Sequence, residues 1–444
     1  MFGTSGIRGP VGRTVTADLA LRIGRAVGHD ARLVVVGQDA RLSGDVLADA
    51  VSVGVRECGA DVVRLGVVST PTVARAVGWT GADAGIGVTA SHNPASDNGL
   101  KLWTPNGRAF DKEQTRDIVH RLNRNDISSA AWDELGRERA WHDGPARHVD
   151  HLVSSFESAD SLDDVAVAFD LGNGTGRVSV DALYELGVTV NTLDGQQDGR
   201  FPARKSEPNG TTLSALRRTV PALDADIGLA HDGDADRLVA VDETGEYVSG
   251  DYLLALFARD AVTSGQSVAV PIDTSLLVQD VVENAGGRVT YTPVGDVHVA
   301  EAVERPGYIF GGEPSGAWIW PDETLAPDGH YAAMKLTELV ARDGPLSEQI
   351  RSLGGDAYTT RRLSLSFDNK HKAMDRIARD VHAQYDNVDT IDGIRVDTDD
   401  GWFLVRASGT EPLVRITVEA RDPVDADNLF EEIRSLAEGA RVVA

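Results

Sequence analysis

The chain has 444 residues, too many for one hydrophobic core, and its length predicts about three to four domains. With 41% hydrophobic and 25% charged residues it has the make-up of an ordinary folded chain, and no apolar run approaches the ~18 residues a membrane span needs. A net charge of −26 excludes nucleic acid as a partner and repels anionic membranes, and the lone Cys58 excludes an intrachain disulfide. Met1 is followed by Phe, Gly, Thr and Ser rather than a charged-then-apolar leader, so the expected location is cytoplasmic. Arginine supplies almost all the positive charge, lysine occurring only at Lys101, Lys112, Lys205, Lys335, Lys370 and Lys372. An acidic, Lys-poor surface of this kind predicts adaptation to high salt, where self-repulsion is screened; an acidic protein of ordinary habitat is the alternative.

Three segments share one pattern. The first runs from Leu33-Val-Val-Val-Gly through a polar loop and an amphipathic stretch to Cys58, then Val62-Val-Arg-Leu. The second starts at Val165-Ala-Val-Ala-Phe-Asp, passes the glycines Gly172, Gly174 and Gly176, and ends in Gly-Val-Thr-Val after Leu186. The third starts at Ser267-Val-Ala-Val-Pro-Ile-Asp and continues through a helical stretch to Asn284. Each reads as buried strand, loop, helix, Gly cap, strand. The fold class is therefore α/β, with three tandem helix-covered units rather than one large sheet. Beyond Arg361 the pattern changes to locally paired strands with helices at Lys372–Tyr385 and Val424–Glu438, an α+β domain. The expected boundaries are 1–146, 147–246, 247–352 and 353–444.

Four loops carry candidate chemistry. Thr89-Ala-Ser-His-Asn-Pro holds Ser91, which becomes a nucleophile or phosphoryl carrier only if a base, a metal or a positive field activates it; His92 and Lys101 are candidates. A helix-capping turn is the bland reading of the same residues. Asp232-Gly-Asp-Ala-Asp-Arg sets three carboxylates at alternate positions, inviting a hard divalent cation. On a straight strand Asp232 and Asp236 would lie roughly 13 Å apart, so the segment must curl around the ion, and Gly233 is expected to permit this. An EF-hand is disfavoured because Arg237 stands where that loop needs Gly and the flanks read as strands. Mg²⁺ neutralising a phosphate suits the adjacent Arg237; a solvated acidic loop is the alternative. Gly311-Gly-Glu-Pro-Ser-Gly offers Glu313 and Ser315 to sugar hydroxyls, or is a plain turn. Arg406-Ala-Ser-Gly-Thr-Glu-Pro, with Arg415 following, gathers cations, hydroxyls and N–H groups into an anion nest; arginines paired structurally with acidic neighbours are the alternative.

Together these loops resemble those of the α-D-phosphohexomutases, which include phosphoglucomutases, phosphomannomutases and phosphoglucosamine mutases. Phe2-Gly-Thr-Ser-Gly-Ile-Arg-Gly resembles the family's N-terminal motif, Thr89–Pro94 its phosphoserine loop, Asp232–Arg237 its metal loop, Gly312–Gly316 its sugar loop and Arg406–Pro412 its phosphate loop. The resemblance covers nearly the whole chain and implies mixed-sheet α/β domains plus the C-terminal α+β domain around a central cleft. It implies that Ser91 carries the phosphoryl group and, with Asp232, Asp234 and Asp236, holds one Mg²⁺ per chain. Arg237 would contact the phosphoserine, and Arg8 and Lys101, with His92, would serve acid/base and charge-stabilising roles. Glu313 and Ser315 would bind the sugar. Arg406, Ser408, Gly409, Thr410 and Arg415 would grip the non-reacting phosphate. A hexose phosphate is the implied substrate, a sugar bisphosphate the intermediate and activator, and the chain a monomer or homodimer. Ala317 stands where many relatives place His, and Val297 where glucosamine-type members place a basic residue. Asp97-Asn-Gly-Leu-Lys resembles the glucosamine type, which is the preferred reading over a dual phosphoglucomutase/phosphomannomutase.

Overall fold

The computed structural model describes residues 3, 6–124, 127, 129–156, 162–354, 358–408 and 413–440. The first unit is a six-stranded sheet in the order Ile7–Pro10, Asp97–Trp103, Ala84–Val88, Leu33–Gln38, Asp61–Val67, Glu138–Ala140. Its central strands are parallel, as their buried Val-rich runs require. Helix Ala17–Gly28 shows how local sequence builds the layers: Thr16 caps it by accepting from Leu19 N–H, and Leu19, Ile23 and Val27 turn one buried stripe inward.

The second unit orders its strands Tyr247–Val248, Leu238–Asp242, Ile227–His231, Ala166–Asp170, Thr189–Leu193, and the third orders them Arg288–Thr292, Ser267–Pro271, Tyr308–Glu313, Ala317–Ile319. These two units share one continuous core, in which Phe169, Leu229, Phe257, Phe310 and Trp318 belong to a single cluster. The fourth sheet is wholly antiparallel, Thr359–Ser366, Leu413–Ala420, Gly401–Ala407, Ile394–Asp397, Val388–Asp389. Helices Lys370–His382 and Pro423–Gly439 share a core with this sheet, built on residues such as Phe403 and Val405. Trp402 and Leu404, of opposite parity along the same strand, pack instead with Ile272 and Leu276 of the third unit.

The antiparallel additions position the candidate loops. Ala84–Val88 turns back into Asp97–Trp103, Ile227–His231 into Leu238–Asp242, Tyr308–Glu313 into Ala317–Ile319, and Gly401–Ala407 into Leu413–Ala420. The serine, metal and sugar loops are therefore bends between antiparallel neighbours. Among the described residues no helix is long and apolar enough to cross a membrane.

Candidate active site

Ser91 follows the buried strand Ala84–Val88 and is itself buried, in a left-handed conformation with φ 48°. A non-glycine residue in that region is strained and persists only where its surroundings over-determine it. Here they do. Ser91 N–H donates to Thr89 Oγ1 at 2.8 Å, and its carbonyl accepts from Arg41 Nη2 at 2.7 Å and Ser206 Oγ at 2.8 Å. The buried Arg41 guanidinium also donates to the carbonyls of Asn93, Pro94 and Asp97, and its Nε pairs with Asp39 at 3.0 Å. One side chain thus moulds the whole loop. Burial pushes Asp39 up to about 6 despite Arg41 beside it.

The Ser91 hydroxyl donates to Asp232 Oδ2 at 2.5 Å and lies 3.3 Å from His92 Nδ1. Burial, reinforced by the charges of Arg237 and Arg8, pushes His92 down to about 3, so its ring is neutral at physiological pH.

Asp232, Asp234 and Asp236 are all buried, and each presents a carboxylate oxygen within 4.8 Å of the others. Desolvation and the neighbouring Asp234 and Asp236 drive Asp232 well above the ordinary carboxylate range, and Asp236 is pushed up to about 6 by burial and Asp234. Burial opposes the charge on Asp234 too, yet Arg8 and the hydrogen bond from Thr70 Oγ1, 2.6 Å, hold it below its ordinary value. Asp234 Oδ1 and Asp236 Oδ1 are buried without hydrogen-bond partners. Crowded hard oxygens with unsatisfied lone pairs fit a small divalent cation, so the donor set and its geometry match a Mg²⁺ site.

The curl of this loop differs from expectation. The residue with positive φ is Ala235, at 58°, not Gly233. Gly233 serves close approach: a Cβ there would lie 2.6 Å from Ser206 Oγ and 2.9 Å from the Ser91 carbonyl. The Gly172–Gly176 loop packs beneath it, Thr175 N–H donating to the Gly233 carbonyl at 3.2 Å, so this glycine-rich turn supports the metal loop.

Lys101 projects from Asp97–Trp103 into the same place. Its buried ammonium bonds Asp296 Oδ2 at 2.6 Å and lies 3.9 Å from Asp236 Oδ2. Arg8 sits opposite Gly99 on the adjoining strand, and its Nε is buried without a partner. Arg237 donates its N–H to Asp232 Oδ1 at 3.3 Å and forms a β-bridge with Ala317, joining the metal loop to the sugar loop. In that loop Glu313 accepts from Gly295 N–H at 2.8 Å and from Ser315 Oγ at 3.3 Å. Burial, with the nearby Asp296 charge, raises Glu313 to about 7 against the pull of Arg237.

In the fourth unit Arg406 and Arg415 stand directly opposite on antiparallel strands. Like charges so placed repel and favour an anion between them. Arg406 Nη1 also pairs with Asp392 at 3.0 Å, and the Ser408 carbonyl accepts from Lys370. Gly409 and Thr410 lie outside the described residues, as do Phe2, Thr4 and Ser5 of the N-terminal motif. The structure thus brings Ser91, His92, the aspartates and Lys101 into direct contact and links Glu313 and Arg406 to them through intermediaries. Sequence reasoning did not single out Arg41 or Asp296 as site residues; the one available signal was a Gly-Asp pair opening a helix.

The comparisons with known proteins agree. Family models described as phosphoglucomutase/phosphomannomutase alpha/beta/alpha domains I, II and III match residues 1–128, 146–245 and 249–354, and the C-terminal domain model matches 364–436. A Methanococcoides burtonii protein named "Probable phosphoglucosamine mutase" is 42% identical, over 97% of this chain and 99% of its own. A protein of the same name from Methanopyrus kandleri is 43% identical, over 97% and 96%. The solved phosphoglucomutase/phosphomannomutase family protein from Burkholderia thailandensis superposes with TM-score 0.87 at 29% identity, over 100% of this chain and 99% of that one. The chain belongs to the α-D-phosphohexomutase family. It is a phosphohexomutase, an enzyme of the isomerase class that acts on a hexose phosphate.

Proposed function

We propose that this enzyme is a phosphoglucosamine mutase that interconverts glucosamine 6-phosphate and glucosamine 1-phosphate through a phosphorylated Ser91. The observation that carries the reading is the Ser91 hydroxyl bonded at 2.5 Å to a member of a buried carboxylate triad, beside Lys101. The choice of sugar rests on relatives of 40–43% identity that bear the glucosamine name.

Arg406, Ser408, Gly409, Thr410 and Arg415 hold the substrate's non-reacting phosphate, and Glu313 and Ser315 orient the ring by its hydroxyls. The phosphoryl group on Ser91 passes to the free hydroxyl: the Ser Oγ–P bond breaks and a sugar O–P bond forms, giving a bisphosphate. The proton lost by the attacking hydroxyl is relayed through the Lys101 ammonium to the departing Ser91 oxygen, Arg8 and Arg237 face the charge on the moving group, and neutral His92 lies beside Ser91 Oγ. One Mg²⁺ held by Asp232, Asp234 and Asp236 with Ser91 would neutralise the phosphoryl charge. The bisphosphate then turns end for end, and its other phosphate returns to Ser91.

The test is a coupled assay of glucosamine, glucose and mannose phosphates with Mg²⁺ and a catalytic amount of sugar bisphosphate. Ser91→Ala should lose turnover by at least ~10⁴-fold while the fold is retained. Turnover that survives in the variant, or release of phosphate without isomer, would defeat the mutase mechanism through Ser91. A kcat/KM preference for glucose or mannose phosphate would defeat the choice of sugar alone, a point sharpened by the departures Ala317 and Val297.

A further inference from the structure

Asp296 opens helix Asp296–Val303 in the third unit, and its carboxylate bonds the Lys101 ammonium of the first unit at 2.6 Å. Both side chains are buried. A second carboxylate is within reach of the same ammonium: Asp236 Oδ2, at 3.9 Å. Asp236 belongs to the metal triad. A divalent cation held there draws on the Asp236 charge and repels an ammonium about 4 Å from its ligand oxygen. A lysine with no other anion would compete with the ion for Asp236 or turn away from the site.

We propose that Asp296 is a positioning residue that draws Lys101 off the metal triad and holds its ammonium at the reacting centre, so that ion and lysine occupy the site together. The inference rests on the role proposed above for Lys101.

The surroundings fix Asp296 in turn. Gly295 has φ 128°, a conformation closed to side-chain-bearing residues, and its N–H grips Glu313 at 2.8 Å. Val294 N–H donates to Asp392 Oδ2 at 3.1 Å, the same oxygen that accepts from Arg406 at 3.0 Å. Three consecutive residues therefore hold the phosphate clamp, the sugar loop and the lysine. The lysine ammonium also lies 4.7 Å from the Trp103 ring, a face that attracts cations without competing with metal.

The variants are Asp296→Asn, Asp296→Glu, Lys101→Ala and the Asn/Ala double, each full length. Calorimetric titration with Mg²⁺ alone, after chelation, reads the ion site apart from turnover. With Asp296→Asn the released lysine falls back on Asp236, so Mg²⁺ affinity drops about 10-fold, and removing the lysine as well restores it to within about 3-fold of wild type. Asp296→Glu keeps the charge and retains most of the affinity. In the steady state Asp296→Asn lowers kcat by about 10²-fold and leaves KM within about 3-fold, because the lysine acts in the transition state rather than in binding. Should Asn fail to fold at this position, Asp296→Ser carries the same expectations. Unchanged Mg²⁺ affinity in Asp296→Asn, or a loss that the double variant does not relieve, overturns the inference. A crippled Lys101→Ala beside an Asp296→Asn of wild-type kcat overturns this inference alone. Wild-type kcat in Lys101→Ala overturns the role given to Lys101, and this inference with it.

Discussion

Glu313 is a buried carboxyl whose charge state changes close to neutral pH. Folding raises it from its ordinary 4.5 to about 7, chiefly by burial, so between those values the folded chain binds more protons than the unfolded one. Stability from this group is then full below about pH 4.5 and declines as pH rises through about 7. Glu313→Gln removes the decline. Relative to wild type, the variant's unfolding midpoint should be higher at pH 8 than at pH 5, and a pH-independent offset would refute the assignment. The three aspartates were legible in the sequence because alternate carboxylates suit a hard cation, and Ser91 because its loop resembles a family motif. Arg41 and Asp296 were not. Each is one polar residue whose importance comes from partners 50 to 195 positions away.

At the level of strands and loops, the repeated helix-and-strand pattern was visible because a buried parallel strand is a continuous apolar run. Strands such as Leu238–Val241 beside the candidate loops were also readable, but their antiparallel direction was not, because hydrophobic periodicity carries no sign of direction. That direction makes the serine, metal and sugar loops bends between hydrogen-bonded neighbours and gives each a rigid base. Gly233 shows how little slack remains. The curl attributed to it belongs to Ala235, while Gly233 lets the metal loop touch the serine loop. Gly233→Ala would force the Ser91 carbonyl, 2.9 Å from the new Cβ, to retreat. A shift of that size at a reacting group costs about 10²-fold in kcat, with a stability loss of about 1–3 kcal/mol. Wild-type kcat in this variant would show that the two loops need not touch.

Across the whole molecule, the net charge of −26 acts everywhere at once. Self-repulsion at long range is screened within about 10 Å at 0.1 M salt and about 3 Å at 1 M, so the folded state should gain from added salt. We expect the unfolding midpoint to rise steadily from about 0.1 M to about 2 M KCl. A flat profile would mean that the acidic surface is not a salt adaptation.

The units are also stitched together by buried polar groups. His330 of the third unit bonds Ser69 of the first and Ser179 of the second at 2.8 and 2.7 Å, and Ser179 in turn bonds His231 at 2.8 Å. Arg75 of the first unit pairs with Asp328 of the third, 2.8 Å away, and Thr70 with Asp234 of the second. In a unit folded alone the partners across the boundaries are missing and water takes their place, to be shed again when the units dock. Synthesis or refolding therefore has a last act in which preformed sheets must find one another before their interiors are content. Secondary structure and catalytic competence would return on different clocks, the second set by docking rather than by the making of any one sheet.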